Sequence, residues 1–291
     1  MRNLRTMGKT ALFVSAFLWG MGYVALESAL LAGWHPIAIL TMTGGIGGCT
    51  LFAFSYKRKW WRNKAMIFQG MFAGLFLSLG MLSQAFGQQL SSPTNAAIII
   101  TSYVIFTPII YSFKHRRPLS TLVLGAAIIS FFGVLIISYE GSLLLNPGDV
   151  ILVVGALMFS FHFIQLESIA HFDDSLSLAT IQLFTMSLLS GVMMPLVRIP
   201  IQSEGFVFIA YLGLVSSGLA FFLQNYGQKL VTSSSASVIM TFEAIFGVIA
   251  SIVFFKEYLS FRLFIGAFLL IGSVFILEIM PHSRYFKGRR Y

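Results

Sequence analysis

Long apolar segments, separated by short polar ones, run through the whole chain. Ten of these segments hold enough apolar residues, about 20 each, to cross roughly 30 Å of hydrocarbon as an α-helix. Strands of a membrane barrel would instead show short segments of alternating polarity. The pattern therefore predicts ten transmembrane helices, at residues 10–32, 36–56, 65–88, 92–113, 120–139, 148–170, 176–197, 205–228, 232–254 and 261–279.

Composition supports the same class of protein. Apolar residues make up 57% of the 291 residues and charged residues only 10%, too few to give a soluble domain a polar surface. Because the bilayer interior offers the backbone no hydrogen-bond partners, membrane spans of this length must be helical. We expect an all-α polytopic membrane protein whose short loops leave no room for an extramembrane domain.

Basic residues gather at alternate ends of the predicted helices. If the N-terminus is cytoplasmic, 16 of the 19 lysines and arginines face the cytoplasm, where such residues are normally retained. Both termini are therefore expected to be cytoplasmic. The net charge of +9 then follows from topology, and no nucleic-acid partner is expected. These residues lie at positions 2–9, 57–64, 114–117, 229 and 284–290.

The chain also repeats itself at an offset of 140 residues. Five helices per copy is an odd number, so the second copy must be inverted in the membrane, as in alternating-access transporters. The predicted organisation is a repeat at residues 1–140, a second at 148–279 and a basic cytoplasmic tail at 280–291. The ungapped matches include Ala96, Ile99, Thr101, Ile105, Phe106 and Ile109 with Ala236, Ile239, Thr241, Ile245, Phe246 and Ile249.

One carboxylate lies in the middle of a predicted membrane helix. Residues 232–254 contain Glu243 but no lysine or arginine, and a carboxylate at that depth typically marks a pathway or cavity. A helix-locking hydrogen bond is the structural alternative. The repeat mate of Glu243 is Tyr103, and Thr101 and Thr241 precede them by two residues. We expect these four side chains to surround a substrate site at the midplane.

Two ring-bearing residues near helix centres are further candidates for substrate binding. Trp19 lies far from both membrane interfaces, and its ring could stack on an aromatic or cationic substrate. The imidazole of His162 can change charge near neutral pH and so could carry a proton. Ordinary packing is the alternative explanation for both.

Two glutamates share one repeat position. Inversion places Glu27 and Glu167 toward opposite membrane faces, each about 10 Å from the midplane at 1.5 Å per helical residue. This arrangement suits a pair of symmetric gates. The alternative is a carboxylate that reaches the interface near a helix end.

Catalytic and cofactor chemistry finds no support in the sequence. Nucleophiles, histidines and carboxylates occur at different depths and without a surrounding motif, and phosphate-binding loops and dense metal-ligand clusters are missing. Cys49 is the single cysteine and lies within a predicted helix. We therefore expect no enzymatic activity, no cofactor and no metal.

The second half of the chain carries a set of family-like motifs: the run from Ser235 to Val238, the run from Phe242 to Gly247, the run from Phe255 to Leu259, Gly266 and Gly272. With these motifs the chain resembles, over essentially its whole length, the EamA family of the drug/metabolite transporter superfamily. Trp19 and Gly20 are similar to the tryptophan and glycine early in that family. The resemblance implies ten helices in two inverted bundles, with a central cavity lined mainly by helices 1, 3, 4, 6, 8 and 9.

These inferences together predict a secondary transporter in the inner membrane of a bacterium. Its expected substrates are small organic metabolites such as amino acids, and the resemblance favours export. Transport of organic cations or of several drugs is the alternative, while a membrane-embedded enzyme or a scaffold is less well supported. The expected partners are a small-molecule substrate and the lipid bilayer, with protons as a candidate coupling ion. Substrate, direction and oligomeric state stay open at this point.

Overall fold

The computed structural model of the protein describes residues 2–116, 146–196, 204–258 and 260–279, with scattered helical residues between 121 and 136. The first half contains α1 (Arg2–Leu31), α2 (Pro36–Ser55), α3 (Lys64–Leu90), α4 (Pro93–Ile100) and α5 (Tyr103–Lys114). The second half contains α6 (Pro147–Ile169), α7 (Ser175–Met193), α8 (Phe206–Tyr211), α9 (Ala220–Leu230), α10 (Ser233–Met240), α11 (Phe242–Phe255) and α12 (Phe261–Ile279). A π-helical segment, Leu212–Leu219, joins α8 to α9.

The predicted all-α membrane fold is confirmed. Within the described residues, 8 helical stretches are long and apolar enough to cross a membrane, and no residue of that part is in a strand. The predicted helix at residues 120–139 lies largely outside the described part, whereas α12 covers the tenth predicted helix. The count of ten and the domain boundaries at 1–140, 148–279 and 280–291 stay predictions.

Local sequence explains where several helices begin. Pro36, Pro93 and Pro147 occupy the first turn of α2, α4 and α6, where a residue without an N–H costs no hydrogen bond. The side chain of Asn63 precedes α3 and accepts a hydrogen bond from the Met66 N–H at 3.1 Å. Such caps satisfy backbone donors that the helix itself leaves free.

The described halves repeat each other in three dimensions at the offset of 140 residues. Gln88 Nε2 donates to the Tyr23 carbonyl at 2.9 Å, and its mate Gln228 Nε2 donates to the Phe163 carbonyl at 2.9 Å. Each hydrogen bond ties a helix to the first helix of its own half. Left-handed backbone recurs at the same spacing, at Gly33 and Asp173 and at Arg116 and Lys256.

The second half is inverted relative to the first. Helices α1 and α3 end on the same side of the membrane, since Gln88 Nε2 lies 3.1 Å from Glu27 Oε2. Helix α3 runs antiparallel to α6, because Gly87 near the end of α3 packs against Gly148 at the start of α6. Helix α6 therefore runs opposite to α1, which is its repeat mate.

Ion pairs close one end of the bundle. Arg58 Nη1 lies 2.6 Å from Asp174 Oδ1, and Lys229 pairs with Asp173. These contacts join the turns after α2 and α6 to each other and to the last turn of α9. We call this side the basic end; its turns include residues 56–63, 115–116, 170–174 and 231–232.

Candidate substrate cavity

A cavity lies between the two halves at the level where α4 meets α5 and α10 meets α11. The space in it that protein atoms do not fill, open solvent at its edge included, is about 680 Å³. Leu26, Ile39 and Leu40 extend its wall toward the loop between α1 and α2. The cavity therefore reaches from the centre of the bundle toward the side opposite the basic end.

The wall of the cavity is pseudo-symmetric. Residues related by the offset of 140 line it in four pairs, so that each half contributes two aromatic or sulfur-containing side chains, a glutamine and a residue at the helix break. The sequence alone had indicated Tyr103, Glu243 and Trp19 as candidates for a substrate site, but not the two glutamines. The pairs are Trp19 with Phe159, Met81 with Phe221, Gln84 with Gln224 and Tyr103 with Glu243.

Glu243 lies in this wall and is bound by two tyrosines. The Tyr23 hydroxyl donates to Glu243 Oε1 at 2.8 Å, and the Tyr103 hydroxyl donates to Oε2 at 3.4 Å. The side chain is 4% exposed. These hydrogen bonds join α1, α5 and α11 at one carboxylate. Tyr23 was missed from the sequence, although it follows Trp19 by four residues and so lies on the same face of α1.

Breaks in two membrane helices place Tyr103 and Glu243 opposite each other. Helix α4 ends at Ile100 and α5 begins at Tyr103, while α10 ends at Met240 and α11 begins at Phe242. Glu243 thus lies in the first turn of α11, where free N–H groups and the helix dipole favour a carboxylate.

The two threonines at the breaks serve the backbone. Thr101 Oγ1 donates to the Ile98 carbonyl and Thr241 Oγ1 to the Val238 carbonyl, each at 2.6 Å. Neither threonine belongs to the described cavity wall. The structure therefore places Tyr103 and Glu243 in the wall of the candidate site, whereas Thr101 and Thr241 lie outside that wall.

Trp19 holds the π-helical segment against α1. Its indole N–H donates to the Ser216 carbonyl at 2.8 Å, and its ring centroid lies 4.7 Å from that of Phe221. A π-helix shifts the backbone hydrogen-bond register and is frequent at functional sites. Trp19 and Ser216 both belong to the cavity wall.

His162 lies outside the cavity wall. Its Nε2 is 2.7 Å from Gln182 Oε1, and Gln182 Nε2 in turn donates to Asn225 Oδ1 at 2.8 Å. This buried network joins α6, α7 and α9. The structure therefore does not bring His162 to Glu243, and the predicted role in substrate binding has no geometric support.

The two candidate gate residues have different surroundings. On the side of the basic end, Glu167 Oε2 accepts hydrogen bonds from the Ser233 N–H at 2.9 Å and from the Ser233 hydroxyl at 2.6 Å. On the other side, Glu27 Oε2 accepts from Gln88 Nε2 at 3.1 Å. The residue that corresponds to Ser233 is Pro93, which has neither an N–H nor a hydroxyl to donate.

The charge in the cavity comes from one side chain. Among the described wall residues, Glu243 is the single carboxylate, and lysine, arginine and histidine do not occur there. The described residues also contain no group of three histidine, cysteine or acidic side chains that could hold a metal ion. The wall thus offers aromatic faces, hydroxyls, two carboxamides and one carboxyl group.

Inverted halves, broken membrane helices and a central cavity are the architecture of a multi-pass membrane transporter. The sequence profile described as the EamA-like transporter family matches residues 6–139 and again residues 146–279. The chain belongs to this family, as the motifs in its second half indicated.

Similar proteins agree with this assignment. An "Uncharacterized transporter" of Archaeoglobus fulgidus is 24% identical over 278 residues, which cover 94% of this chain and 87% of that protein. The permease-like protein YdzE of Bacillus subtilis is 31% identical over 67 residues, or 23% of this chain and 86% of YdzE. A crystal structure with 17% sequence identity superposes with a TM-score of 0.68, covering 93% of this chain and 96% of the other. That likeness establishes the fold alone.

Proposed function

We propose that this protein is a secondary transporter for a small organic metabolite that bears a protonated amine, such as an amino acid. The observation that carries the proposal is the single charged group in the described cavity wall, Glu243, which has no basic partner there. A buried carboxylate favours a cationic ligand, and a hydrogen bond to a charged group contributes about 1.5–3 kcal/mol. Trp19 and Phe221 offer apolar surface for the rest of the substrate.

The proposed mechanism is alternating access. Broken helices that meet at a midplane site, with one half inverted, suit a rocking motion that exposes the site to each side in turn. The ion pairs at the basic end and the extension of the cavity away from them support an outward-facing state. Export is the proposed direction, in line with the family resemblance, with protons as a candidate coupling ion.

A second candidate is the transport of quaternary organic cations, which have no N–H group to donate to a carboxylate. It is favoured by the aromatic rings around Glu243, because a cation is attracted to the face of an aromatic ring. An amino acid requires hydrogen-bond donors for its carboxylate, and the cavity offers these only as hydroxyls and amides.

Flux into proteoliposomes tests the substrate class. We expect counterflow of 2-phenylethylamine or phenylalanine to exceed that of empty liposomes, whereas 3-phenylpropionate, which has the same ring but only a carboxylate, should not move. Benzyltrimethylammonium flux without flux of either 2-phenylethylamine or phenylalanine would select the quaternary-cation alternative. Flux of 3-phenylpropionate alone would contradict both assignments.

Cysteine labelling tests the proposed orientation in the inner membrane of a bacterium. In a Cys49→Ala background, we expect Tyr258→Cys to react with an impermeant maleimide in intact cells. Its side chain is 93% exposed and lies just beyond α11, on the side opposite the basic end. Lys59→Cys, in a turn of the basic end, should react only after permeabilisation. Because basic loops stay in the cytoplasm, the reverse pattern would contradict the orientation and the cytoplasmic N-terminus.

A further inference from the structure

Two glutamines in the cavity wall have no hydrogen-bond partner within the described part of the chain. Gln224 is 1% exposed, and its carboxamide oxygen Oε1 is unpaired. Its repeat mate Gln84 is 9% exposed and lies in the same wall. Leaving a buried polar group unpaired costs about 1–3 kcal/mol. These side chains are therefore set up for a ligand.

The glutamines one helical turn further on serve as an internal comparison. Gln88 and Gln228 use their Nε2 groups to bind backbone carbonyls at 2.9 Å, and neither belongs to the cavity wall. Their oxygens are also unpaired, but each side chain already ties two helices together. Gln224 has no such structural hydrogen bond to another described residue, which leaves the cavity as the place where its carboxamide can act.

We propose that Gln224 determines substrate specificity by accepting a hydrogen bond from a hydroxyl or amide N–H of the substrate. This inference rests on the proposed function, in which Glu243 binds the protonated amine. It narrows the substrate class to amines that carry a second hydrogen-bond donor. A carboxamide oxygen has two acceptor sites, so a hydroxyl is a suitable partner, whereas a purely apolar amine leaves the oxygen unpaired.

The test compares two probes that differ by one hydroxyl, 2-phenylethylamine and 2-amino-1-phenylethanol. Their dissociation constants are measured by calorimetry on the full-length purified protein. We expect the hydroxylated amine to bind wild type about tenfold more tightly, because sites with a buried polar group discriminate against ligands that leave it unpaired. In Gln224→Met, which keeps the length but removes the hydrogen bond, the ratio should fall to about one.

Two further variants make the result specific. Gln165→Met changes a glutamine of α6 that lies outside the cavity wall, and it should keep the tenfold preference. Gln224→Asn shortens the side chain by one methylene, so that the carboxamide no longer reaches the substrate, and it should also reduce the ratio of the two dissociation constants. This variant provides the test if Gln224→Met does not fold. A purely structural role would weaken both probes equally and leave the ratio unchanged.

Each outcome decides between the proposals. Equal binding of the two amines to wild type would overturn the role of Gln224 while leaving the proposed amine transporter in place. A preference that persists in Gln224→Met would also overturn it. If neither amine binds wild type, the proposed substrate class is wrong. The proposed role of Gln224, which depends on that class, is then wrong as well.

Discussion

Glu243→Gln is expected to reduce amine flux in proteoliposomes by about 10- to 100-fold, since a hydrogen bond to a charged group contributes about 1.5–3 kcal/mol. Glutamine keeps the size of glutamate: its carbonyl oxygen accepts from one tyrosine hydroxyl, and its NH2 group donates to the oxygen of the other. The folded yield and melting temperature should therefore stay close to wild type. The measurement is the initial rate of 2-phenylethylamine counterflow at fixed protein content.

Companion variants separate this role from a structural one. Tyr23→Phe removes the 2.8 Å hydrogen bond to Glu243 and should lower the melting temperature, as should Glu243→Leu; membrane-protein side-chain hydrogen bonds average about 0.6 kcal/mol. If Glu243→Gln transports as fast as wild type while Tyr23→Phe and Glu243→Leu are unstable, the carboxylate only locks the helices.

Much of the fold could be predicted because the bilayer leaves few choices. A long apolar segment has to be a helix, and an odd number of helices per repeat forces the second copy to be inverted. The same offset of 140 paired Tyr103 with Glu243, and the structure places these two side chains 3.4 Å apart. A residue and its mate can meet only near the symmetry axis, which is why sequence alone indicated the centre of the cavity.

The rest of the site depends on how each helix is rotated. In a soluble protein an apolar stripe shows which face packs inward, but α2 and α6 are apolar on almost every side, so no stripe distinguishes lipid from cavity. Tyr23 lies on α1 and Gln224 on α9, and the sequence alone did not show which face of these two helices lines the cavity. His162 was selected for its chemistry alone, and it lies in a network with Gln182. The π-helical segment at Leu212–Leu219 left no signal in the sequence that we recognised.

The two candidate gate residues have different hydrogen-bond partners in the two inverted halves. Glu167 is held by two hydrogen bonds from Ser233 at the start of α10, on the side of the basic end. In a symmetric alternation, Glu27 would make the same contacts at the start of α4 when the opposite side closes. Pro93 cannot donate them. In the proposed alternating-access mechanism, the state that is closed at the basic end would therefore gain hydrogen bonds that its counterpart lacks.

We expect Ser233→Pro, which copies Pro93 into the second half, to increase opening at the basic end by about tenfold. Loss of hydrogen bonds to a carboxylate costs about 1.5–3 kcal/mol, and a tenfold shift needs about 1.4 kcal/mol. The reporter is Ser217→Cys in the cavity wall, in a Cys49→Ala background. Its labelling by an impermeant maleimide is compared between right-side-out and inverted vesicles.

Matched variants complete this test. Ser234→Ala changes the neighbouring serine, which makes no hydrogen bond to Glu167 in the described structure, and should leave the labelling ratio unchanged. Pro93→Ser restores the missing donors opposite Glu27 and should shift accessibility in the same direction as Ser233→Pro, because it stabilises closure of the other side. Since a ligand or bond shifts an equilibrium only through its preference for one state, an unchanged ratio in both Ser233→Pro and Pro93→Ser would show that these glutamates do not act as gates.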